Sequence, residues 1–171
     1  MRFLLTLFAL LSLLLTGAIF GFFYAWICST MWGLDATDPN AAIDAMQAMN
    51  ASVRKAVFAP AFFATPVVLI LTALISYVTG GTRSALLFAA AGVVYLLGGL
   101  VLTVSVNVPM NQALALIETP MSTKTAQTVW NTYSLPWQRW NIARTLASGV
   151  SLLLVGLGLM SLPRQIATPR V

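Results

Sequence analysis

The sequence predicts an all-α protein, a four-span transmembrane helix bundle with short amphipathic helices in the outer loops. Charged residues are only 8% of its 171 residues, against about 25% in a typical soluble domain. Four long stretches, 3–34, 56–82, 84–117 and 145–163, contain no charge at all. Because a spanning helix needs about 20 apolar residues, we predict spans at about 3–28, 56–79, 84–106 and 137–162, within a single membrane domain of residues 1–171.

The first apolar stretch is too long for a secretory signal peptide, whose apolar core is about 7–15 residues. It continues from Phe3 to Trp26 without a clear cleavage site, so we predict an uncleaved first span. Gly17, Gly21 and Ala25 lie four residues apart, and such small-residue faces let membrane helices approach closely. This face predicts helix packing or assembly into a homo- or hetero-oligomer.

Residues 38–53 predict a short amphipathic helix in the first outer loop. Asp38 before Pro39 is typical of an N-cap followed by proline at the first helical position. Ile43, Met46 and either Met49 or Asn50 then fall on one side. We expect this helix to lie on the membrane surface or over the mouth of the bundle.

Prolines predict where the later helices bend or end. Pro60 and Pro66 should kink the second span, because proline removes a backbone donor. Val108 before Pro109 favours a break, with Asn107 capping the second half; a continuous helix would instead align Asn107 with Asn111. A second short helix, capped by Ser122 or Thr123, should end before the fourth span at residues 133–136.

Basic residues predict the orientation. One end of the bundle carries Arg2, Arg83, Arg164 and Arg170 without any acid, whereas the other end carries all four acids together with five bases. The positive-inside rule therefore places both termini in the cytoplasm, and we expect an integral protein of a bacterial inner membrane. The net charge of +5 reflects this asymmetry. It does not predict a nucleic-acid surface, because no basic groove with stacking aromatic residues is visible.

The composition argues against metal and cofactor chemistry. The chain has no histidine and a single cysteine, Cys28. An intrachain disulfide is therefore excluded, and the commonest ligand of zinc, copper and iron is missing. We find no flavin, nicotinamide or haem motif, so we predict no cofactor and no metal.

Two polar groups stand out near the outer ends of the last two spans. Asn107 and Asn111 form one. The other contains Trp137, Trp140, Asn141 and Arg144, whose i, i+3, i+4, i+7 spacing predicts one helical face. Anchoring at the interface or a purely structural tie would explain them. An ionisable residue inside a bundle is, however, by default a sign of function.

These residues also carry a resemblance. The segments 17–26, 39–50, 107–111 (NVPMN) and 137–144 (WQRWNIAR) resemble the DUF1772, or anthrone oxygenase-like, integral membrane protein family, in order and over nearly the whole chain. The resemblance implies a four-span bundle, and some relatives oxidise an anthrone to an anthraquinone with O₂. Relatives often have histidine after the second motif's asparagine. Ile142 stands there, so a histidine-dependent role at that position is excluded.

The resemblance implies a site for cofactor-free oxidation or binding of a flat hydrophobic, polycyclic or quinone-like molecule. Such chemistry needs an apolar slot, oxyanion donors and a base. The expected oxyanion donors and catalytic residues are Asn107, Asn111, Asn141 and Arg144. The expected substrate contacts are Trp137, Trp140, Asn50, Phe20 and Phe23, and Asp44 or Glu118 is a candidate base.

Two other classes of function stay open. The chain could be a non-enzymatic accessory or scaffold subunit of a membrane complex, in which the polar residues satisfy one another without a void. Transport is less favoured, since four spans are few and no internal repeat is visible. A cavity on which Arg144 and the asparagines converge would favour binding or catalysis.

Overall fold

The described part of the chain, residues 1–53 and 57–162 of a computed structural model, consists almost entirely of helices. Its five helices are α1 (Arg2–Asp35), α2 (Pro39–Ser52), α3 (Phe58–Val78), α4 (Thr82–Leu114) and α5 (Thr123–Met160). All except α2 are long and apolar enough to span a membrane. The predicted all-α, four-span fold is confirmed.

The four long helices pack in a closed ring in the order α1, α3, α4, α5, with α5 returning to α1. Each therefore runs antiparallel to both neighbours, because successive spans cross the bundle in opposite directions. We call the end opposite the N-terminus the outer end. A core in the body of the bundle includes Ile19, Phe23, Phe88 and Tyr95. A second core at the outer end includes Trp26, Ile43, Met46, Trp130 and Trp137.

Hydroxyl groups join the helices inside the bundle. Ser12 of α1 and Thr72 of α3 lie 2.8 Å apart, and Ser76 and Ser84 bring α3 and α4 together at 2.6 Å. Because lipid offers no competing hydrogen-bond partner, such pairs stabilise contact between membrane helices. They replace part of the hydrophobic driving force that a water-soluble bundle would use.

The proline in the middle of α3 is accommodated by a neighbouring helix. Pro66 has no N–H, which deprives the carbonyl of Phe62, four residues earlier, of its usual donor. The hydroxyl of Tyr95 in α4 donates to that carbonyl at 2.9 Å. The tertiary contact thereby satisfies a backbone group that would otherwise be costly in a membrane.

Helix α2 lies over the mouth of the bundle. The Asp38 side chain accepts from the backbone N–H groups of Asn40 and Ala41, so the predicted N-cap is confirmed. The predicted inner side is also confirmed, since Ile43, Met46 and Asn50 are buried. The Gln47 amide donates to the carbonyls of Leu114 and Ile117, both at 2.9 Å, and so closes the C-terminal end of α4.

Two predicted helix breaks are wrong. Helix α4 continues through Pro109, and Asn107 has helical backbone angles and makes no capping hydrogen bond. The turn before it, Thr103–Asn107, is π-helical, so Pro109 begins a new regular turn, where a missing N–H costs least. Helix α5 likewise runs without a break from Thr123, capped by Ser122, through Pro136. Buried packing of its residues on both sides of that proline outweighs the local preference.

Asp35, at the end of α1, ties that helix to α5. Its carboxylate accepts from the Trp130 indole at 2.8 Å, the Ser134 hydroxyl at 2.7 Å and the Gln138 amide at 2.8 Å. The three donors lie four residues apart along one face of α5, which is continuous only because the helix does not break at Pro136. The carboxylate of Asp35 therefore holds the end of α1 against α5 and does not pair with Arg144.

A close contact between α4 and α5 allows a prediction about stability. A Cβ atom built on Gly98 of α4 would overlap the Cβ of Ala147 in α5, whereas one on Gly21 of α1 would meet nothing within 4 Å. Gly98→Ala should lower stability by about 1–3 kcal/mol through overpacking. Gly21→Ala should leave it unchanged or slightly higher. Thermal unfolding in detergent measures both, and equal midpoints for the two variants would contradict the close packing.

Candidate functional site

A cavity of about 350 Å³ opens between α1, α3, α4 and α5 near the outer end of the bundle. Aromatic rings form much of its wall, chiefly Phe22, Phe23, Trp26, Phe58, Phe62 and Trp137. Its polar lining residues are Asn50, Thr103, Asn111, Gln112 and Arg144. We call it the Arg144 cavity. An apolar space with a few convergent polar groups is the usual form of a small-molecule site.

Arg144 is buried, with only 5% of its surface exposed, and has no carboxylate partner within the described residues. Its Nε donates to the Oδ1 of Asn141 at 2.9 Å, and one terminal nitrogen lies 3.5 Å from the hydroxyl of Thr103. The guanidinium carbon lies 4.3 Å from the ring centre of Phe23 and 5.0 Å from that of Trp137. Arginine has five N–H donors, so donors remain for a molecule in the cavity.

Asn141 fixes the position of that guanidinium. Its side chain is buried between α5 and α1, where its Nδ2 donates to the Phe23 carbonyl at 3.1 Å while its Oδ1 accepts from Arg144. Both halves of the amide therefore have a protein partner, and Asn141 does not itself line the cavity. The structure gives Asn141 the geometry of a positioning residue for Arg144.

A second polar cluster lies on the outer side of the Arg144 cavity. The Oδ1 of Asn111 accepts from the Tyr133 hydroxyl at 2.8 Å and from the Trp137 indole at 2.9 Å. The Nδ2 of Asn111 donates to the Oδ1 of Asn50 at 3.0 Å, and the Nδ2 of Asn50 points back to the Tyr133 oxygen at 3.4 Å. This polar ring joins α2, α4 and α5. It also holds the Trp137 indole beside Arg144.

Asn107 is placed differently from the other predicted polar residues. It is fully buried, at 0% exposure, and neither its Nδ2 nor its Oδ1 has a hydrogen-bond partner among the described residues. It lies in the π-helical turn Thr103–Asn107, one turn away from both Thr103 and Asn111 on α4. An unpaired buried amide is costly, so it is usually explained by an ordered water molecule, a bound ion or a role in function.

π-Helical turns border the Arg144 cavity on two sides. Trp26, which lines it from α1, begins the π-helical segment Trp26–Thr30, and Thr103 begins the second of two π-helical segments in α4, Thr103–Asn107. A π-turn widens the helix and re-aims the side chains that follow it, and such turns recur at functional sites. Here they rotate the directions in which the following side chains of α1 and α4 point, beside the cavity.

The structure does not bring two of the expected substrate contacts to the Arg144 cavity. Trp140 is 43% exposed, since at 100° per residue it is turned about 60° from Trp137, away from the side of Asn141. Phe20 stacks on Tyr24 at 5.7 Å and packs against Gly149 on the outside of the bundle. The predicted single face therefore contains Trp137, Asn141 and Arg144 but not Trp140.

The candidate bases also lie elsewhere. The Asp44 carboxylate accepts a hydrogen bond from the Thr119 hydroxyl in the outer loops, and Glu118 is exposed. Neither lines the Arg144 cavity, nor does any other carboxylate of the described residues. Within residues 1–53 and 57–162, no group of three or more His, Cys, Asp or Glu side chains is placed to hold a metal ion.

Ile142, where relatives often carry histidine, points away from the cavity. It is 44% exposed and lies in a shallow groove on the outside of α1 and α5, together with Phe20 and Leu146. A histidine at this position of the present backbone would face the membrane. Its absence therefore leaves the Arg144 cavity unchanged.

Several residues at the site were not predicted from the sequence. Thr103, Phe22, Phe58 and Phe62 line the cavity, and Tyr133 completes the polar ring. A signal existed for Tyr133, because it lies four residues before Trp137 and eight before Asn141, on the same face of a continuous helix. The break expected at residues 133–136 hid that periodicity.

The arrangement is suited to hold an oxygen-bearing aromatic molecule. A cation without a carboxylate partner can stabilise a carbonyl oxygen that gains negative charge, and it does so strongly where water is excluded. Flat rings can lie against Phe23, Phe58 and Trp137.

Comparison with known proteins gives one match. Residues 49–154 match a family model described as Anthrone oxygenase. The matched segment contains the last turn of α2, all of α3 and α4, and most of α5. No curated protein and no solved structure matches the chain.

Two of the buried asparagines, Asn107 and Asn141, should respond in opposite ways to substitution by leucine. Asn107→Leu removes an amide without a partner, so stability should rise by about 1–3 kcal/mol. Asn141→Leu deprives Arg144 and the Phe23 carbonyl of their partner, so stability should fall by a similar amount. Thermal unfolding in one detergent compares them. A fall for Asn107→Leu would mean that a bound molecule, such as water, satisfies its amide.

Proposed function

Because the chain belongs to the anthrone oxygenase family, we propose that it binds a flat aromatic ketone of the anthrone type in the Arg144 cavity and promotes its oxidation by O₂. The observation that carries the proposal is the buried Arg144 guanidinium, which faces an apolar, aromatic cavity without a carboxylate partner among the described residues. The proposal requires no cofactor, because the substrate itself supplies the electrons.

The reaction begins with loss of a proton from the activated CH₂ group of the ketone. The electrons move onto the carbonyl oxygen, and Arg144 stabilises the enolate that forms. The positive charge nearby lowers the pKa of the substrate's CH₂ group, so a strong base is less necessary. Since no carboxylate of the described residues lines the cavity, water at the outer mouth is the proposed proton acceptor.

Molecular oxygen then acts as the oxidant. The enolate gives one electron to O₂, and the resulting radical and superoxide combine to form a carbon–oxygen bond at the former CH₂ carbon. The peroxide takes up a proton. Hydroxide then leaves as the oxygen–oxygen bond breaks, and the remaining hydrogen on that carbon leaves as a proton. The carbon thereby becomes a second carbonyl group, and the hydroxide and the proton together make water. One ketone and one O₂ thus yield one quinone and one water.

Five polar residues in or beside the cavity have distinct roles in this proposal. Arg144 contacts the reacting oxygen, and Asn141 positions Arg144. Asn111 and Asn50 are donors at the outer side, where a second oxygen substituent of the ring system would lie. Asn107 is buried and does not line the cavity itself. In this proposal its unpaired amide binds a water molecule, which in turn contacts the substrate oxygen.

A non-enzymatic role is the second candidate, and one observation favours it. Asn50, Asn111, Tyr133 and Trp137 satisfy one another in the polar ring, as expected for a structural tie between helices. In that case the chain would be an accessory or scaffold subunit of a membrane complex. The exposed Gly21 and Ala25 would then be a surface for helix assembly.

We infer the orientation from the charges. Arg2 and Arg83 lie at the inner end, and Asp35, Asp38, Asp44 and Glu118 lie at the outer end; Arg164 and Arg170 lie outside the described residues. The positive-inside rule then places both termini in the cytoplasm of a bacterial cell, with the cavity near the opposite face of the inner membrane.

Oxygen uptake by the purified protein with a simple anthrone tests the catalytic proposal. Arg144→Ala should lower the rate above background by about 10²–10³, the usual cost of losing an oxyanion donor. Arg139→Ala is the matched control, because Arg139 is an exposed arginine of the same helix and should change the rate little. Equal rates for the two variants would contradict the role of Arg144. Anthrone binding without uptake would favour a binding protein.

Ile142→His tests whether the histidine of relatives is needed. Because position 142 faces the outside of the bundle, this substitution should change oxygen uptake by less than about twofold, well below the effect of a general base. The same oxygen electrode measures it, at several values of pH. A large gain would show that the side chain at position 142 reaches the substrate and would contradict the arrangement of α5.

A further inference from the structure

A second apolar space, of about 630 Å³, lies beside the Arg144 cavity, between α1, α2 and α3. We call it the side chamber. Its lining includes four residues that do not line the Arg144 cavity, namely Ala18 of α1, Ser52 of α2, Val57 and Ala61. Ala18 and Ser52 are exposed, and Val57 is 87% exposed. Because Ala18 and Ala61 belong to spans α1 and α3, the side chamber opens toward lipid.

The two spaces share one wall. Five residues line both of them, namely Phe22, Trp26, Met49, Val53 and Phe58. The rings of Phe22 and Phe58 belong to this wall, with their centres 4.4 Å apart and their planes tilted by 40°. Only a single layer of side chains therefore separates the side chamber from the cavity that contains Arg144.

The wall consists of groups that can move without breaking hydrogen bonds. Phenylalanine and methionine side chains interact through dispersion and apolar contact alone, and methionine adapts readily to a new neighbour. The backbone of Phe58 lies in the first turn of α3, where helix ends open most easily. By contrast, the opposite side of the Arg144 cavity is held by the hydrogen bonds of the polar ring.

We propose that the side chamber is the lateral entrance of the Arg144 cavity, through which a flat apolar molecule passes from the bilayer between α1 and α3 and displaces the rings of Phe22 and Phe58. This inference rests on the proposed function, since it takes the same class of molecule as its occupant. A flat ring system partitions into lipid. An opening from the membrane therefore delivers it at higher concentration than the aqueous mouth under α2.

If the side chamber is the entrance, filling it should have a specific kinetic effect. Ala18→Trp and Ser52→Trp each place an indole in the side chamber without touching the Arg144 cavity. If the ligand passes through the chamber, both its association and its dissociation should slow by about tenfold while Kd stays within about twofold, since Kd is the ratio of the two rate constants. Phe58→Ala should accelerate both rates.

Stopped-flow fluorescence in detergent micelles measures these rates, with anthraquinone as the probe and quenching of the protein's tryptophans as the signal. Each introduced indole adds to that signal, so rates and not amplitudes are compared. Ala90→Trp is the control, because Ala90 is an exposed alanine of α4 that lines neither space. It should leave both rates as in the unmodified chain.

The outcomes separate this inference from the proposed function. Slower exchange in both chamber variants at unchanged Kd, with normal exchange in Ala90→Trp, supports the lateral entrance. Binding with unchanged rates in both chamber variants overturns it and leaves the proposed binding site standing. Failure of the unmodified protein to bind anthraquinone overturns both. A raised Kd with an unchanged association rate would show that the chamber belongs to the binding site and is not a passage.

Discussion

The outer half of the bundle is arranged around the burial of one cation. A guanidinium in a membrane protein costs several kcal/mol unless other groups compensate it. Arg144 receives that compensation from an amide, a hydroxyl and two aromatic rings, and among the described residues from no carboxylate. Asn141 in turn is held by the Phe23 carbonyl of α1. The contact of α1 with α5 and the charge of the cavity thus depend on the same few atoms.

The irregular parts of the helices are consistent with this arrangement. A regular α4 would place Thr103, Asn107 and Asn111 in a simple row, but the π-helical turns shift the phase between the body of the helix and its outer end. Pro66 is accommodated in a similar way, since the Tyr95 hydroxyl of a neighbouring helix donates to the backbone carbonyl that the proline leaves without a donor. Departures from ideal helix are tolerated here because tertiary contacts complete the hydrogen bonds.

Much of the architecture could be predicted from the sequence, and the site only in part. The uncharged stretches predicted four long helices, and Asp38 with Pro39 predicted the start of α2. Arg144, Asn111, Asn50, Trp137 and Phe23 were predicted from their types and spacing, and all five line one cavity. Trp140 and Phe20 met the same criteria but face outward. In lipid an aromatic residue is equally stable on either side of a helix, so composition does not reveal which side faces inward.

The sequence by itself determined which segments are apolar enough to span a membrane, where polar groups interrupt them and which end carries all the acids, because these properties depend only on local composition. The tertiary structure decided whether Pro109 and Pro136 end a helix, since packing on both sides of a proline outweighs its local preference. It also decided that Arg144 meets Phe23 of α1 and Thr103 of α4 while Asp35 meets Trp130 of α5. A charge selects its partner by the distance between helices, and that distance is set only when all four of them pack together.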